Sequence, residues 1–238
     1  MPWLRAALLV AVLSGCAATI ASRPLGRDFS RAPFAGFTLD ATSVAEAEAA
    51  LGPPMKQTTV RGLVGATSKR LVPGTPYALT ALNYYYFPNG PGALSQGHAG
   101  KTASLIFLDG RLIAYGADSS LPGDSNAPID EARLDSLHQC RTTRREAIAL
   151  LGQPNAESLH ILDAQPGAID IVYSWQNAQQ GLAARRSLRV FFDRNGEMSN
   201  YTLVDDQSAG GGVPAAVHTP VPTPLPPPCP SVVDRQHT

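Results

Sequence analysis

The segment Thr143-Arg144-Arg145-Glu146-Ala147-Ile148-Ala149-Leu150-Leu151-Gly152-Gln153-Pro154 decides how this chain is read, because it has a copy. Ser43-Val44-Ala45-Glu46-Ala47-Glu48-Ala49-Ala50-Leu51-Gly52-Pro53-Pro54 repeats its pattern at an offset of 100 residues. Each begins with Ser or Thr followed three residues later by Glu, the reciprocal capping box that satisfies two orphan amides at a helix start. Each ends in Gly, where a helix closes in a left-handed conformation, with Pro two residues on. The pattern predicts two helices of about two turns, too short to be stable alone, so both must dock on something.

The residues beyond each copy read as antiparallel strands. In the first, residues 78–87, 102–108 and 112–115 are rich in aromatic, aliphatic and β-branched side chains, with Asp109-Gly110 as a turn. In the second, residues 168–175, 187–192 and 198–204 repeat the pattern around Asp193-Arg194-Asn195-Gly196. Alternation is clearest at Ile169, Ile171, Tyr173 and Trp175 against Asp170, Ser174 and Gln176. A helix over residues 131–139 would precede the capped one, with 34–39 as its weaker counterpart. The expected fold is therefore α+β, in two tandem repeats. Each repeat is a short helical hairpin packed on a three- to four-stranded antiparallel sheet.

Thr143, Glu146, Leu151-Gly152-x-Pro154, the pair Tyr173/Trp175 and Phe192-Asp193…Gly196 resemble the BamE/SmpA/OmlA lipoprotein domain. The resemblance covers residues 135–204 well and 42–115 weakly. It implies two helices on a three-stranded sheet, outer-membrane anchoring and a protein partner in β-barrel assembly. The chain departs from the family in having Arg141 where Gly is frequent, and in carrying two such domains and a long tail. The paired arrangement is similar to β-lactamase inhibitor proteins, which implies inhibition of a periplasmic or cell-wall enzyme as the alternative.

The first sixteen residues give an address. Arg5, the apolar run 6–13 and Leu13-Ser14-Gly15-Cys16 describe a bacterial export signal ending in a lipobox. The lipobox implies acylation of Cys16, palmitate included; the alternative is an ordinary export signal with a coincidental cysteine. Ala17 in place of aspartate favours the outer membrane, with the body on its periplasmic face. Cys140 and Cys229 remain, either as a disulfide suited to an oxidising compartment or as two free thiols. Balanced charge, 19 basic against 19 acidic residues, excludes a phosphate-dominated nucleic-acid binder. Ser95-Gln96-Gly97-His98-Ala99-Gly100-Lys101-Thr102 approaches a phosphate loop but lacks its first glycine and its following helix, so no nucleotide is expected.

The expected organisation is a signal peptide (1–15), a lipidated tether (16–33), a divergent first domain (34–116) and a linker (117–128). A second domain (129–206) and a Pro-rich disordered tail (207–238) complete it, the tail holding eight prolines between 214 and 230. The tether's Arg23, Arg27 and Arg31 could meet anionic headgroups or simply be solvated. Arg144 and Arg145 stand in the first helical turn, where positive charge opposes the helix dipole. They mark either an acidic partner or a tolerated surface cost. No catalytic constellation, metal set or cofactor motif stands out, so the expectation is a non-catalytic binding module with an envelope-protein partner. Aligning Tyr84/Tyr86 with Tyr173/Trp175, and Ile106/Leu108 with Val190/Phe192, leaves Tyr85, Phe87, Leu105 and Phe107 on the face away from the helices. There they would form either an external contact or a face buried within the chain.

Overall fold

A computed structural model of the chain describes residues 23–63, 74–90, 99–121, 128–161, 165–179, 182–209, 227 and 229, with the backbone alone for 176–179, 182–185 and 205–209. Both capping boxes form. The Ser43 hydroxyl accepts from Glu46 N and the Thr143 hydroxyl from Glu146 N, while each glutamate reaches back to its cap's backbone N–H. The helices they open, α1 (Val44–Leu51) and α2 (Arg144–Leu151), close at Gly52 and Gly152 with φ of 83° and 88°. Only glycine adopts that conformation without strain.

The strands are β1 (Leu25–Gly26), β2 (Lys56–Leu63), β3 (Pro76–Phe87), β4 (Lys101–Leu108), β5 (Arg111–Ser119), β6 (Ala156–Leu159), β7 (Ile169–Gln179), β8 (Leu182–Phe192) and β9 (Met198–Ala209). They form one nine-stranded antiparallel sheet in the order β1-β3-β4-β5-β6-β7-β8-β9, with β2 also paired to β3. This corrects the expected pair of helical hairpins on separate small sheets. The joint is β6, which pairs with β7 on one side and with Ala114–Gly116 of β5 on the other. The stretch expected to begin a linker instead continues β5 to Ser119.

The expected first helix of each hairpin is also absent from the described residues. Its place is taken by 3-10 turns, Ala32–Gly36 and Glu131–Ser136. A turn so short cannot recover the cost of starting an α-helix. Each instead drives one side chain, Phe34 or Leu134, into the core beneath it. The tether likewise ends early, since β1 pairs with Phe87 and Tyr86 of β3 and Phe29 is buried.

Both α-helices lie on one face of the sheet, over two cores. The first gathers Phe34, Ala47, Leu51, Leu82, Tyr84, Ala103, Leu105, Phe107, Leu112 and Tyr115. The second gathers Leu134, Ala147, Ile171, Tyr173, Leu188, Val190, Phe192 and Met198. The halves correspond in detail. Tyr84 and Tyr173 each donate a hydroxyl to the carbonyl that ends the helix above, Gly52 O at 3.1 Å and Gly152 O at 2.9 Å. Burial pushes the Tyr84 phenol up to about 12, with Glu48 adding to it, and raises Tyr173 as well. The register of β2 on β3 (Lys56↔Asn83) is that of β6 on β7 (Ala156↔Val172), shifted by the repeat.

The register also corrects the expected face assignment. Leu105 pairs with Leu82 and Phe107 with Thr80, and Leu105 and Phe107 are both fully buried on the helix-covered side. Ile106, expected in the core, is 37% exposed. The two hairpins enclose different numbers of residues. Phe107 pairs with Leu112 across residues 108–111, but Phe192 pairs with Met198 across 193–197. Matching Leu108-Asp109 to Phe192-Asp193 therefore slips the strand by one residue, which exchanges its faces. Tyr85 does lie opposite Tyr84 and is half-buried, while Phe87 is buried beside Gly100.

Candidate functional site

Residues paired across antiparallel strands share a face, so the register maps the side of the sheet that carries no helix. One row runs Thr58, Ala81, Ile106, Ala114, Ser158, Asp170, Phe191, Asn200. The next runs Lys56, Asn83, Ser104, Gly116, Ala156, Val172, Arg189, Thr202. The middle of each row is built of Ala, Gly and Ser. The outcome is a shallow band of small side chains along β5 and β6. On its first-half side stand Val60, Leu79, Ile106 and Leu108, with Val60 57% exposed.

The second-half side is polar and tightly paired. Asp170, 2% exposed, accepts from Arg189 Nε at 2.7 Å and meets His160 Nε2 at 2.6 Å. The Arg189 guanidinium sits 5.0 Å from the Phe191 ring centroid. Further along, Ser174 Oγ donates to Asp118 Oδ1 at 2.7 Å and Asn155 Nδ2 to the same oxygen at 3.1 Å. The Asn155 side-chain carbonyl accepts from Ser174 N at 2.9 Å. No buried side-chain polar atom among the described residues lacks a partner. A carboxylate this deeply buried is tolerable only with such partners.

On the helix side, a polar seam joins the two cores. Tyr115 of β5 donates to Glu157 Oε1 at 2.8 Å and accepts from Gln153 Nε2 at 3.2 Å. Arg144 forks onto Glu157 Oε2, with Nε at 3.1 Å and a second, shorter contact from Nη2. Burial, with Glu157 adding charge and a hydrogen bond, raises the Tyr115 phenol well above its ordinary value. The arginine that opposes the helix dipole thus has its anion inside the chain. Sequence reasoning missed Glu157 because Ala156–Leu159 is too short to alternate visibly. Arg144 itself was the available signal, since an acid beside it offsets the unfavourable meeting of a cation with the helix dipole.

Of the other sequence candidates, Cys140 and Cys229 are joined, with sulfurs 2.21 Å apart and Cα atoms 5.4 Å apart. Cys16 lies outside the described residues, as do residues 95–98 of the phosphate-loop look-alike. Lys101 is committed to Asp28 Oδ1 at 2.8 Å and Phe29 O at 3.2 Å, which ties down the entering chain. Asp193, Glu197 and Cys229 lie close enough to suggest a cation site. The Cys229 sulfur is already in the disulfide, and Asp193 caps its own turn through Asn195 N and Glu197 N. Compared with protein families, with curated proteins and with solved structures, the chain matches none of them.

Proposed function

We propose that the protein is a non-catalytic lipoprotein, anchored through Cys16 to the periplasmic face of the outer membrane, whose helix-free sheet face binds another envelope protein. The observation that carries the binding assignment is that face. Val60 and Ile106 are exposed where a solvated sheet would place polar residues, and the small-residue band beside them can admit a protruding segment. The Leu13-Ser14-Gly15-Cys16 order supports the anchor, and the disulfide suits an oxidising compartment. The resemblance to BamE lipoprotein domains adds the envelope setting and β-barrel assembly or envelope maintenance as the role. It rests on local motifs, not on the helical hairpin it implied. Because the helix-free face runs without a break across both halves, an inhibitor that grips a periplasmic or cell-wall enzyme is the second reading.

Photo-crosslinking from Ile106 and Val60 in intact cells tests the reading. Capture of barrel-assembly proteins supports the first role, and capture of a hydrolase that the purified protein inhibits stoichiometrically supports the second. Crosslinking equal to that from a helix-side position such as Glu48 would reject the face. The anchor is tested separately: Cys16→Ala should abolish acyl incorporation and release the protein from membranes. Unchanged labelling would reject it.

A further inference from the structure

The repeat assigns a neighbour to the outer edge of each half's last strand, and in the second half that place is unfilled among the described residues. In the first half, the outer edge of β5 is met first by the segment before α1. Asp40 N donates to Leu112 O and Leu112 N to Thr42 O, and from Ala114 onward β6 takes over. In the second half, the outer edge of β9 begins the same way. Cys140 N donates to Met198 O and Met198 N to Thr142 O. From Asn200 onward, where β6 would come, no described strand pairs with it. Tyr115 and its counterpart Tyr201 show the difference, 3% against 36% exposed. The Tyr201 N–H, turned outward, is satisfied by the Asn200 side chain at 2.8 Å.

We propose that the outer edge of β9 at Asn200–Val204 is a strand-accepting site, and that its occupant is this chain's own segment Thr219–Leu225. Two observations select that occupant. First, β9 ends at Ala209, about 36 Å from Met198 at the usual rise per residue. Cys229 nevertheless sits back at the Met198 end, held to Cys140, with its sulfur 3.5 Å from Met198 O. The residues between Ala209 and Cys229 therefore have that distance to span, and at an extended rise of ~3.1 Å each their length is ample.

Second, the segment reads Thr219-Pro220-Val221-Pro222-Thr223-Pro224-Leu225-Pro226. A strand points alternate residues' backbone groups to opposite sides. With proline at every second position, Thr219, Val221, Thr223 and Leu225 keep their donors for one side. The prolines give the other side none. Such a strand can pair with β9 and cannot template a further strand.

Native-state hydrogen exchange on the full-length, oxidised protein tests this at the Tyr201 and Leu203 amides. Both should be protected in the wild type. Val221→Pro with Thr223→Pro removes the inward donors but keeps the disulfide, and should speed exchange at both amides on the order of tenfold or more, leaving Val190 of β8 unchanged. Pro222→Ala with Pro224→Ala alters only the outward side and should change nothing. Freeing the segment by Cys140→Asp with Cys229→Ser should match the inward proline variant. Aspartate suits that position because Asp40 holds the equivalent left-handed turn, φ 62° against 57° at Cys140. Unprotected amides in the wild type, or protection equal in wild type and the inward proline variant, would overturn the proposal. Protection that falls on dilution would also overturn it, by naming a second copy as the occupant.

Discussion

Leu105 and Ile106 are adjacent aliphatic residues with opposite surroundings. Leu105 is fully buried beneath α1, whereas Ile106 stands 37% exposed on the face without helices. Leu105→Ala should cost about 2–5 kcal/mol, the range for emptying a core leucine. Ile106→Ser should stay within about 0.5–1 kcal/mol, as surface changes usually do. Equilibrium denaturation of the two variants measures the register directly, and equal losses would contradict it. Hydrophobicity could not distinguish these neighbours, because Leu105, Ile106, Phe107 and Leu108 are all apolar. The parity is set by the hairpin, and the two hairpins differ in length by a residue. What orients the strand is thus a backbone turn whose sequence, Asp109-Gly110, is compatible with either parity.

At the scale of elements, both helices were legible because their ends are chemically explicit. Ser43/Glu46 and Thr143/Glu146 close capping boxes, and Gly52 and Gly152 terminate the turns above Tyr84 and Tyr173. Thr143→Ala should cost about 1 kcal/mol near neutral pH, typical of a lost N-cap. The Thr143 backbone N–H, then its hydroxyl, hold the Glu146 carboxyl below its ordinary value, as Ser43 holds Glu46. A depressed carboxyl stabilises the fold above its unfolded-state value and loses that contribution as pH falls through the folded one. The stability gap between wild type and Glu146→Ala should therefore narrow on acidification below the ordinary carboxylate range. Thermal melts over a pH series would show it, and a gap independent of pH would count against the capping account. Strands β2 and β6 were not legible. Lys56–Leu63 is polar and exposed, and Ala156–Leu159 is four residues long, so neither displays a periodic apolar face.

For the whole molecule, β6 turns what resembled two domains into a single sheet, with Glu157 tying Tyr115 of the first half to Arg144 of the second. The two cores should therefore melt together. Trp175 fluorescence reports on the second half, and near-UV dichroism includes the tyrosines of the first; their transitions should coincide. Glu157→Ala leaves the Tyr115 hydroxyl and the Arg144 charge without their acid and should cost about 3 kcal/mol or more, lowering both signals at once. Separate transitions in the wild type would show independent halves. The sequence repeat announced two similar units but not their fusion, because the strands at the joint meet through backbone pairing, Ala114–Gly116 with Ala156–Ser158 and Ala117 N–H to Asn155 O. Peptide groups pair alike whatever side chains they carry.

The identical seating of β2 on β3 and of β6 on β7 has a consequence in symmetry. The operation that carries the first half onto the second is head-to-tail, and nothing in it closes after two steps. β2 of another molecule would fit β9 as β6 fits β5, and repeating that contact would build a filament. The two copies of this strand differ where such growth is decided. Where β6 must pair, Ala156 stands; at the same place on β2, whose outer edge meets no described strand, stands Lys56. Charge on an exposed edge discourages another strand from joining it. The chain is thus a polymer of degree two, with its leading end guarded by a lysine.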